Sequence, residues 1–393
     1  METGHRIHFK NAAHMTDIDD AGVELVVTSP PYPMIEMWDP VFTRQNPRIE
    51  QPLLKGDGRK AFELMHSMLD QVWKETARVL KSGGFACINI GDATRTLDGE
   101  FALYPNHSRI LHFFLNAGFT VLPSIIWRKQ TNSPNKFMGS GMLPAGAYVT
   151  LEHEYILIMR KGPRRRIEDD EEKQRRRKSS IFWEERNNWY SDVWFDVKGA
   201  SQVLNDRETR SRSAAYPFEI AYRLISMYSL KGDTVLDPFL GTGTTTAAAI
   251  ASGRHSIGYE IDDTLTESIL NSMNDIAEKS NRYMKIRIEN HVAFVKERLD
   301  AGKPIKHFNS RHNFPVVTAQ EKDILIGQVA SFQIVDSGHF QATYSDGPIM
   351  TESTWETGDS GDDPERISHG TNETSREKTK KTGSDSGQFS LFN

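Results

Sequence analysis

The chain has 393 residues, more than one average domain, and 37% of them are hydrophobic, enough for a sizeable core with part of the chain left to solvent. No apolar run is long enough for a bilayer span or a signal peptide, and a single cysteine excludes an internal disulfide framework and fits a reducing compartment; thirteen histidines show no HExxH-type spacing, so no metal is expected. The net charge of −5 is uneven, since residues 351–393 hold nine acids and five bases whereas Arg160–Lys178 holds ten bases and five acids.

Strand and helix signals open the chain and lead to Glu24-Leu-Val-Val-Thr28, a short β-rich run ending at Ser29-Pro-Pro-Tyr32. Helical apolar spacing covers Ala61–Leu80, Gly83-Gly84 stops it, and Phe85-Ala-Cys-Ile-Asn-Ile90 reads as the next strand. Ser108–Ala117 predicts a helix, and Thr120–Trp127 and His153–Met159 predict strands. Dense mixed charge from Arg160 to Lys178 breaks this rhythm and reads as a solvated loop, an exposed helix or a phosphate-contacting segment. Alternation returns with a helix over Pro217–Ser229, a strand over Thr234–Asp237, a helix over Thr244–Ala251, a strand over Ser256–Glu260 and a helix over Glu267–Glu278. Asp323–Val335 and Gly338–Tyr344 suggest a small β unit, and residues 351–393, rich in Ser, Thr, Gly and charge, predict a disordered tail. Strands alternating with helices predict an α/β, doubly wound, mostly parallel Rossmann-like sheet covered on both faces.

Two loops stand out. In Thr28-Ser29-Pro30-Pro31-Tyr32 the prolines fix φ and forbid helix, so the backbone turns stiffly at the carboxyl end of its strand. A hydroxyl, a carbonyl and an aromatic face are thereby presented together, although so short a motif alone is equally a plain proline-rich turn. The second loop is Asp237-Pro-Phe-Leu-Gly-Thr-Gly-Thr-Thr245, between a strand and a helix of small residues. Gly241 and Gly243 let a ligand approach the backbone closely, and the helix start offers free N–H groups. A phosphate loop is excluded, because GxxxxGK[ST] needs a lysine and none stands between Asp237 and Ala251. Glu260 closes the next strand 23 residues after Asp237, suited to gripping ribose hydroxyls at a strand end.

Together these residues resemble the amino-methyltransferases of DNA that act on cytosine N4 and adenine N6, in the subgroup whose catalytic loop precedes its cofactor loop. The resemblance covers roughly residues 5–300 and includes Arg78-Val-Leu-Lys-Ser-Gly-Gly84, Ile126-Trp-Arg-Lys129 and Tyr216-Pro217. Relatives often begin that last segment with a histidine, where Arg212-Ser213 stands in this chain. The resemblance implies S-adenosylmethionine as cofactor, held by Asp237, Pro238, Phe239, Gly241, Gly243, Thr244, Thr245, Glu260, Tyr216 and Pro217, with Ser29, Pro30, Pro31 and Tyr32 as catalytic residues. It also implies a division into a catalytic half (1–127), a target-recognition insertion (128–212), a cofactor half (213–300), a small β-rich extension (303–350) and the tail (351–393).

A base in a duplex hides its amino group, so enzymes of this kind flip the nucleotide into a pocket. The amino lone pair is delocalised into the ring; accepting both N–H bonds draws it out of conjugation toward the methyl. The Ser29 hydroxyl and Pro30 carbonyl can be those acceptors, and Tyr32 can stack on the extruded ring. The sulfonium supplies the reactivity, and no covalent enzyme intermediate is needed. Methylation at cytosine carbon 5 uses a cysteine after a proline, as the resemblance implies, whereas Cys87 follows Ala86 in an apolar strand and reads as core. Serine rather than aspartate heading the catalytic loop points by resemblance to cytosine N4, with adenine N6 the alternative and RNA a further one. Relatives acting on glutamine amides usually carry asparagine there.

The substrate implied is double-stranded DNA, and the setting a prokaryotic cytoplasm, at the nucleoid, as the modification arm of a restriction–modification system. Target recognition is expected in 128–212, where Arg164-Arg-Arg166 and Arg175-Arg-Arg-Lys178 precede Trp183, Trp189, Tyr190 and Trp194. The terminal Gln388-Phe-Ser-Leu-Phe392 is either a fortuitous end or a docking motif. It is similar to the Gln-x-Ser-Leu-Phe form that binds the bacterial sliding clamp, with Gln388, Ser390, Leu391 and Phe392 as contacts.

Overall fold

The computed structural model describes residues 1–129, 138–198, 216–347 and 349. Its eleven-stranded sheet is built around five parallel neighbours in the order Leu80–Ile90, Val23–Thr28, Thr234–Asp237, His255–Tyr259 and Glu2–His8. These strands are apolar at successive positions because both faces are covered. Leu25 and Val27 enter one core and Val26 the other, and Cys87 alternates in the same way with Ala86 and Ile88. Helices Phe218–Tyr228, Thr244–Ser252 and Ile276–Asp300 pack on the first face, Gly58–Val79 and Asn106–Asn116 on the second. The sheet is doubly wound, as expected.

Several boundaries differ from the expectation. The helix Gly58–Val79 ends where Leu80 turns extended, and Leu80 itself begins the strand. Gly83-Gly84 therefore stop no helix; they lie inside the strand, where a Cβ on Gly84 would stand 2.6 Å from the Glu24 carbonyl. The run Thr120–Trp127 divides into Phe119–Val121 and Ile125–Arg128 around Pro123, which cannot donate to a ladder. Glu267–Glu278 is two helices, Thr266–Asn274 and a long Ile276–Asp300 whose buried stripe includes the polar Ser280 and His291.

Beyond the parallel strands, His153–Lys161 pairs antiparallel with Leu80–Ile90, and Ile125–Arg128 and then Val193–Trp194 continue that side. On the other side the hairpin Gln328–Asp336 and His339–Ser345 pairs antiparallel with Glu2–His8. This hairpin of the expected small extension is thus part of the main sheet, whereas His307–Asn309 and Phe314–Val316 pair in a separate two-stranded sheet. The hairpin covers what would be an open edge.

Strand direction also sorts the expected recognition insertion. His153–Lys161 ends where the parallel strands begin, so Arg160–Lys178 lies at that end of the sheet. Arg165 bonds Asp233, the residue before the strand Thr234–Asp237. Within this stretch Asp170–Lys178 is a helix capped by Asp169, with acids in its first turn and bases in its last, as the helix dipole favours. The expectation that these bases and the following aromatics together face DNA meets two corrections. The bases sit opposite the carboxyl ends of the strands, and Trp189 and Trp194 are buried in the core. By contrast, the hairpin Met138–Gly139 and Ala147–Tyr148 stands at the carboxyl end, where Tyr148 stacks on Phe101 at 4.6 Å.

Among the described residues no helix is long and apolar enough to cross a membrane, and no group of three His, Cys, Asp or Glu could hold a metal ion. Arg212-Ser213, the tail 351–393 and the docking residues Gln388, Ser390, Leu391 and Phe392 lie outside the described residues.

Candidate active site

Val23–Thr28 and Thr234–Asp237 are neighbouring parallel strands, with Val26 opposite Leu236, so the loops that follow them emerge side by side. Between these loops lies a cavity of about 710 Å³, within the ~300–1,000 Å³ usual for small-molecule sites. Ser29, Pro30, Pro31 and Tyr32 line it from one loop, Pro238, Phe239, Gly241 and Thr244 from the other, and Tyr216 and Glu260 join them. Asp237, Gly243, Thr245 and Pro217 stand behind this lining.

Asp237 is almost fully buried and ties the two loops together. Its carboxylate accepts from Thr28 Oγ1 at 2.6 Å, Phe239 N at 3.0 Å and Thr245 Oγ1 at 2.5 Å. Burial pushes its pKa up to about 6. Tyr216 reaches the same knot through Thr245. Asp237 therefore shapes the loop of Gly241 and Gly243 from behind, a role that sequence alone could not separate from direct contact with a ligand.

Gly241 has φ +56° and Gly243 φ +89°, backbone that side-chain-bearing residues rarely adopt. A Cβ on Gly241 would meet nothing within 4 Å, so open space adjoins the loop backbone. Glu260 Oε2 accepts from Gly241 N at 2.8 Å and Oε1 from Asp262 N at 2.9 Å. Each oxygen retains a lone pair, and burial raises the carboxyl pKa. Open backbone, a carboxylate at the wall and the apolar Phe239 and Leu265 fit a nucleoside with hydroxyls to bind.

The loop Ser29–Tyr32 is held from behind too. Asn106, fully buried, donates to the carbonyls of Pro33 at 3.1 Å and Gly91 at 3.0 Å. His66 Nε2 lies 3.0 Å from Asn106 Oδ1; burial lowers its pKa to about 3, so the ring is neutral and donates. The Tyr32 hydroxyl donates to Glu154 Oε2 at 2.9 Å, accepts from Asn89 Nδ2 at 2.8 Å and lies 3.1 Å from Ser29 Oγ. Lys129 Nζ donates to Glu154 Oε1 at 2.8 Å. Sequence reasoning missed Asn89, Asn106, Lys129 and Glu154 as site residues. The available signal was polarity out of place, since Asn89 interrupts one apolar strand and Glu154 is the second residue of another.

The outer wall comes from the short helices Glu36–Trp38 and Asp39–Gln45, also passed over because they show no sustained period. Arg95 pins them by two parallel bonds to Asp39, at 3.0 and 2.7 Å. Cys87 is fully buried, its thiol pushed up by burial, and does not line the cavity.

Residues 23–271 match the DNA methylase family of N6 and N4 enzymes. The Type II methyltransferase M.MthZI of Methanothermobacter thermautotrophicus is 51% identical over 347 residues, covering 88% of this chain and 96% of its own. The Type II methyltransferase M.MjaI of Methanocaldococcus jannaschii is 48% identical over 278 residues, 67% of this chain and 89% of its own. Among solved structures, TTHA0409 of Thermus thermophilus, in complex with S-adenosyl-L-methionine, is similar with a TM-score of 0.52 at 31% identity, covering 67% of this chain and 92% of its own. With its two loops on one cavity and these relatives, the chain belongs to the N6/N4 family of S-adenosylmethionine-dependent DNA methyltransferases.

Proposed function

We propose that this DNA methyltransferase acts on cytosine N4 of a base flipped from duplex DNA, as the modification arm of a restriction–modification pair. The observation that carries the reading is the shared cavity, in which Ser29, Pro30 and Tyr32 face the same space as the cofactor loop. S-adenosylmethionine supplies an electrophilic methyl when bound. The chain's own residues bind and orient. Ser29 Oγ and the Pro30 carbonyl accept the two amino N–H bonds, and the Tyr32 ring stacks on the base. Asp237, Pro238, Phe239, Gly241, Gly243, Thr244, Thr245, Glu260, Tyr216 and Pro217 form or shape the cofactor side. Serine at the head of the catalytic loop supports cytosine over adenine, and the names of the two relatives support the modification role.

Target recognition is assigned to residues 128–212, chiefly to the parts that border the catalytic edge. Met142, Leu143, Tyr148, Val149 and Phe195 are exposed there and suit contact with base edges. The Gln388–Phe392 motif is assigned to a sliding clamp, and a peptide of the last twelve residues titrated against the host clamp tests it. Double substitution Leu391→Ala, Phe392→Ala should abolish that binding.

Mass analysis of nucleosides from duplex DNA after reaction tests the central reading. N4-methylcytosine is expected. N6-methyladenine alone overturns the cytosine assignment, and methyl transfer to RNA but not DNA would overturn the substrate.

A further inference from the structure

Tyr32 brings more than a ring to the cavity. Its hydroxyl touches Glu154, Asn89 and Ser29, and the hydrogens in this group can be assigned by elimination. A phenol has one hydrogen and a carboxylate none, so the Tyr32 hydrogen points to Glu154. Asn89 must turn its nitrogen to the same spot, because Nδ2 is 2.7 Å from Glu154 Oε2 and an amide oxygen there would set acceptor against acceptor. The contact between Ser29 and Tyr32 then has one hydrogen left to fill it, that of Ser29. Both Asn89 hydrogens go to Tyr32 and Glu154, at 2.8 and 2.7 Å, so Asn89 Nδ2 only borders Ser29 Oγ at 3.5 Å; Ser29 donates to Tyr32 and keeps its lone pairs for the cavity. Burial, and after it Glu154, hold the Tyr32 phenol well above its usual range, so it remains a donor. Lys129 anchors the acidic end of the chain.

We propose that the Tyr32 hydroxyl and Glu154 are positioning groups for methyl transfer: the chain from Ser29 to Tyr32 to Glu154 fixes Ser29 as an acceptor and polarises its oxygen toward the target amino group. The inference rests on Ser29 accepting from that group, as proposed above. A free serine hydroxyl rotates, and can donate as readily as it accepts. Donation to the amino nitrogen would occupy the lone pair that must attack. Committing the serine hydrogen to Tyr32 removes that option. Successive hydrogen bonds polarise one another, so the neutral serine gains part of a carboxylate's acceptor strength while the charge stays one residue removed from the base.

Single-turnover methylation of duplex DNA by Tyr32→Phe and Glu154→Gln tests this, with cofactor and DNA affinities measured alongside. Phenylalanine keeps the stacking ring and removes the hydroxyl. Each substitution should slow the methyl-transfer rate by about ten- to hundredfold, the worth of a hydrogen bond to a charged group, with both affinities unchanged. The double variant should be no slower than the slower single variant, because both break one chain. A wild-type rate in Tyr32→Phe, or losses that multiply in the double variant, overturns the proposal. Should Glu154→Gln fail to fold, Tyr32→Phe decides alone. Ser29→Ala separates the two levels of inference. If Ser29→Ala is slow while Tyr32→Phe is fast, the positioning chain is wrong; if Ser29→Ala is fast, the acceptor reading beneath it is wrong.

Discussion

Glu260 and Asp237 are both carboxylates at strand ends, both buried, and both shifted upward in pKa by that burial. They do different work. Glu260 lines the cavity, where its proposed role is to accept hydrogen bonds from the cofactor's ribose. Glu260→Ala is expected to weaken S-adenosylmethionine binding by roughly 1.5–3 kcal/mol per bond lost, and unchanged affinity by calorimetry would place the ribose elsewhere. Asp237 faces inward and should reveal itself through pH. Its folded pKa of about 6 lies above the ordinary 3.8, so folding binds a proton between these values. The stability it contributes is complete below the lower value and is lost as pH rises through the upper one, at up to about 1.4 kcal/mol per pH unit. Urea melts from about pH 4 to pH 7 should show the original chain losing stability relative to Asp237→Asn across that window. A constant difference would mean that Asp237 does not titrate there. The sequence disclosed both carboxylates from their place after apolar runs. It could not disclose which faced the cavity, because that depends on Thr28 and Thr245 arriving from other elements.

Short, strongly patterned elements were readable: the strand Thr234–Asp237 and the helix beginning at Thr244 stand where the apolar run and the paired glycines predict. Elements set by tertiary contact were not. The strand containing Gly83-Gly84 depends on a close approach by the Glu24 carbonyl, which no local pattern announces. The arginine-rich stretch shows the same limit, since composition suggested phosphate contacts while strand direction places it away from the cavity. Its exposed members, Arg164, Arg166, Arg176 and Arg177, are expected to contribute nothing to binding at the catalytic edge. Changing all four to glutamine should leave duplex affinity and its salt dependence as they were. A salt slope shallower by about 0.9 per arginine, read from titrations of labelled duplex at several salt concentrations, would put DNA across this end after all.

At the scale of the molecule, one sheet separates two apolar cores, and the chain crosses it from first strand to last. The hairpin of Gln328–Asp336 and His339–Ser345 belongs to this assembly. Phe340, Ala342 and Tyr344 enter the same core as the helix Thr244–Ser252, and Tyr344 donates to the Ile250 carbonyl at 2.7 Å. Asn281 of the long helix closes on Val329 from both sides, donating to its carbonyl at 3.0 Å and accepting from its N–H at 2.8 Å. A chain ending at residue 302 would lose these aromatics and bare the edge of Glu2–His8. Losing a buried aromatic side chain alone costs about 3–5 kcal/mol, comparable to much of a domain's net stability. Such a chain is expected to aggregate through its open edge. A chain ending at Ile349 keeps every contact described for the hairpin, and should melt at the full-length temperature and methylate duplex DNA in vitro at the full-length rate. Solubility and thermal melts of the two truncations decide the matter. A soluble, cooperatively melting chain ending at 302 would make residues 303–350 a dispensable module, contrary to the continuous sheet.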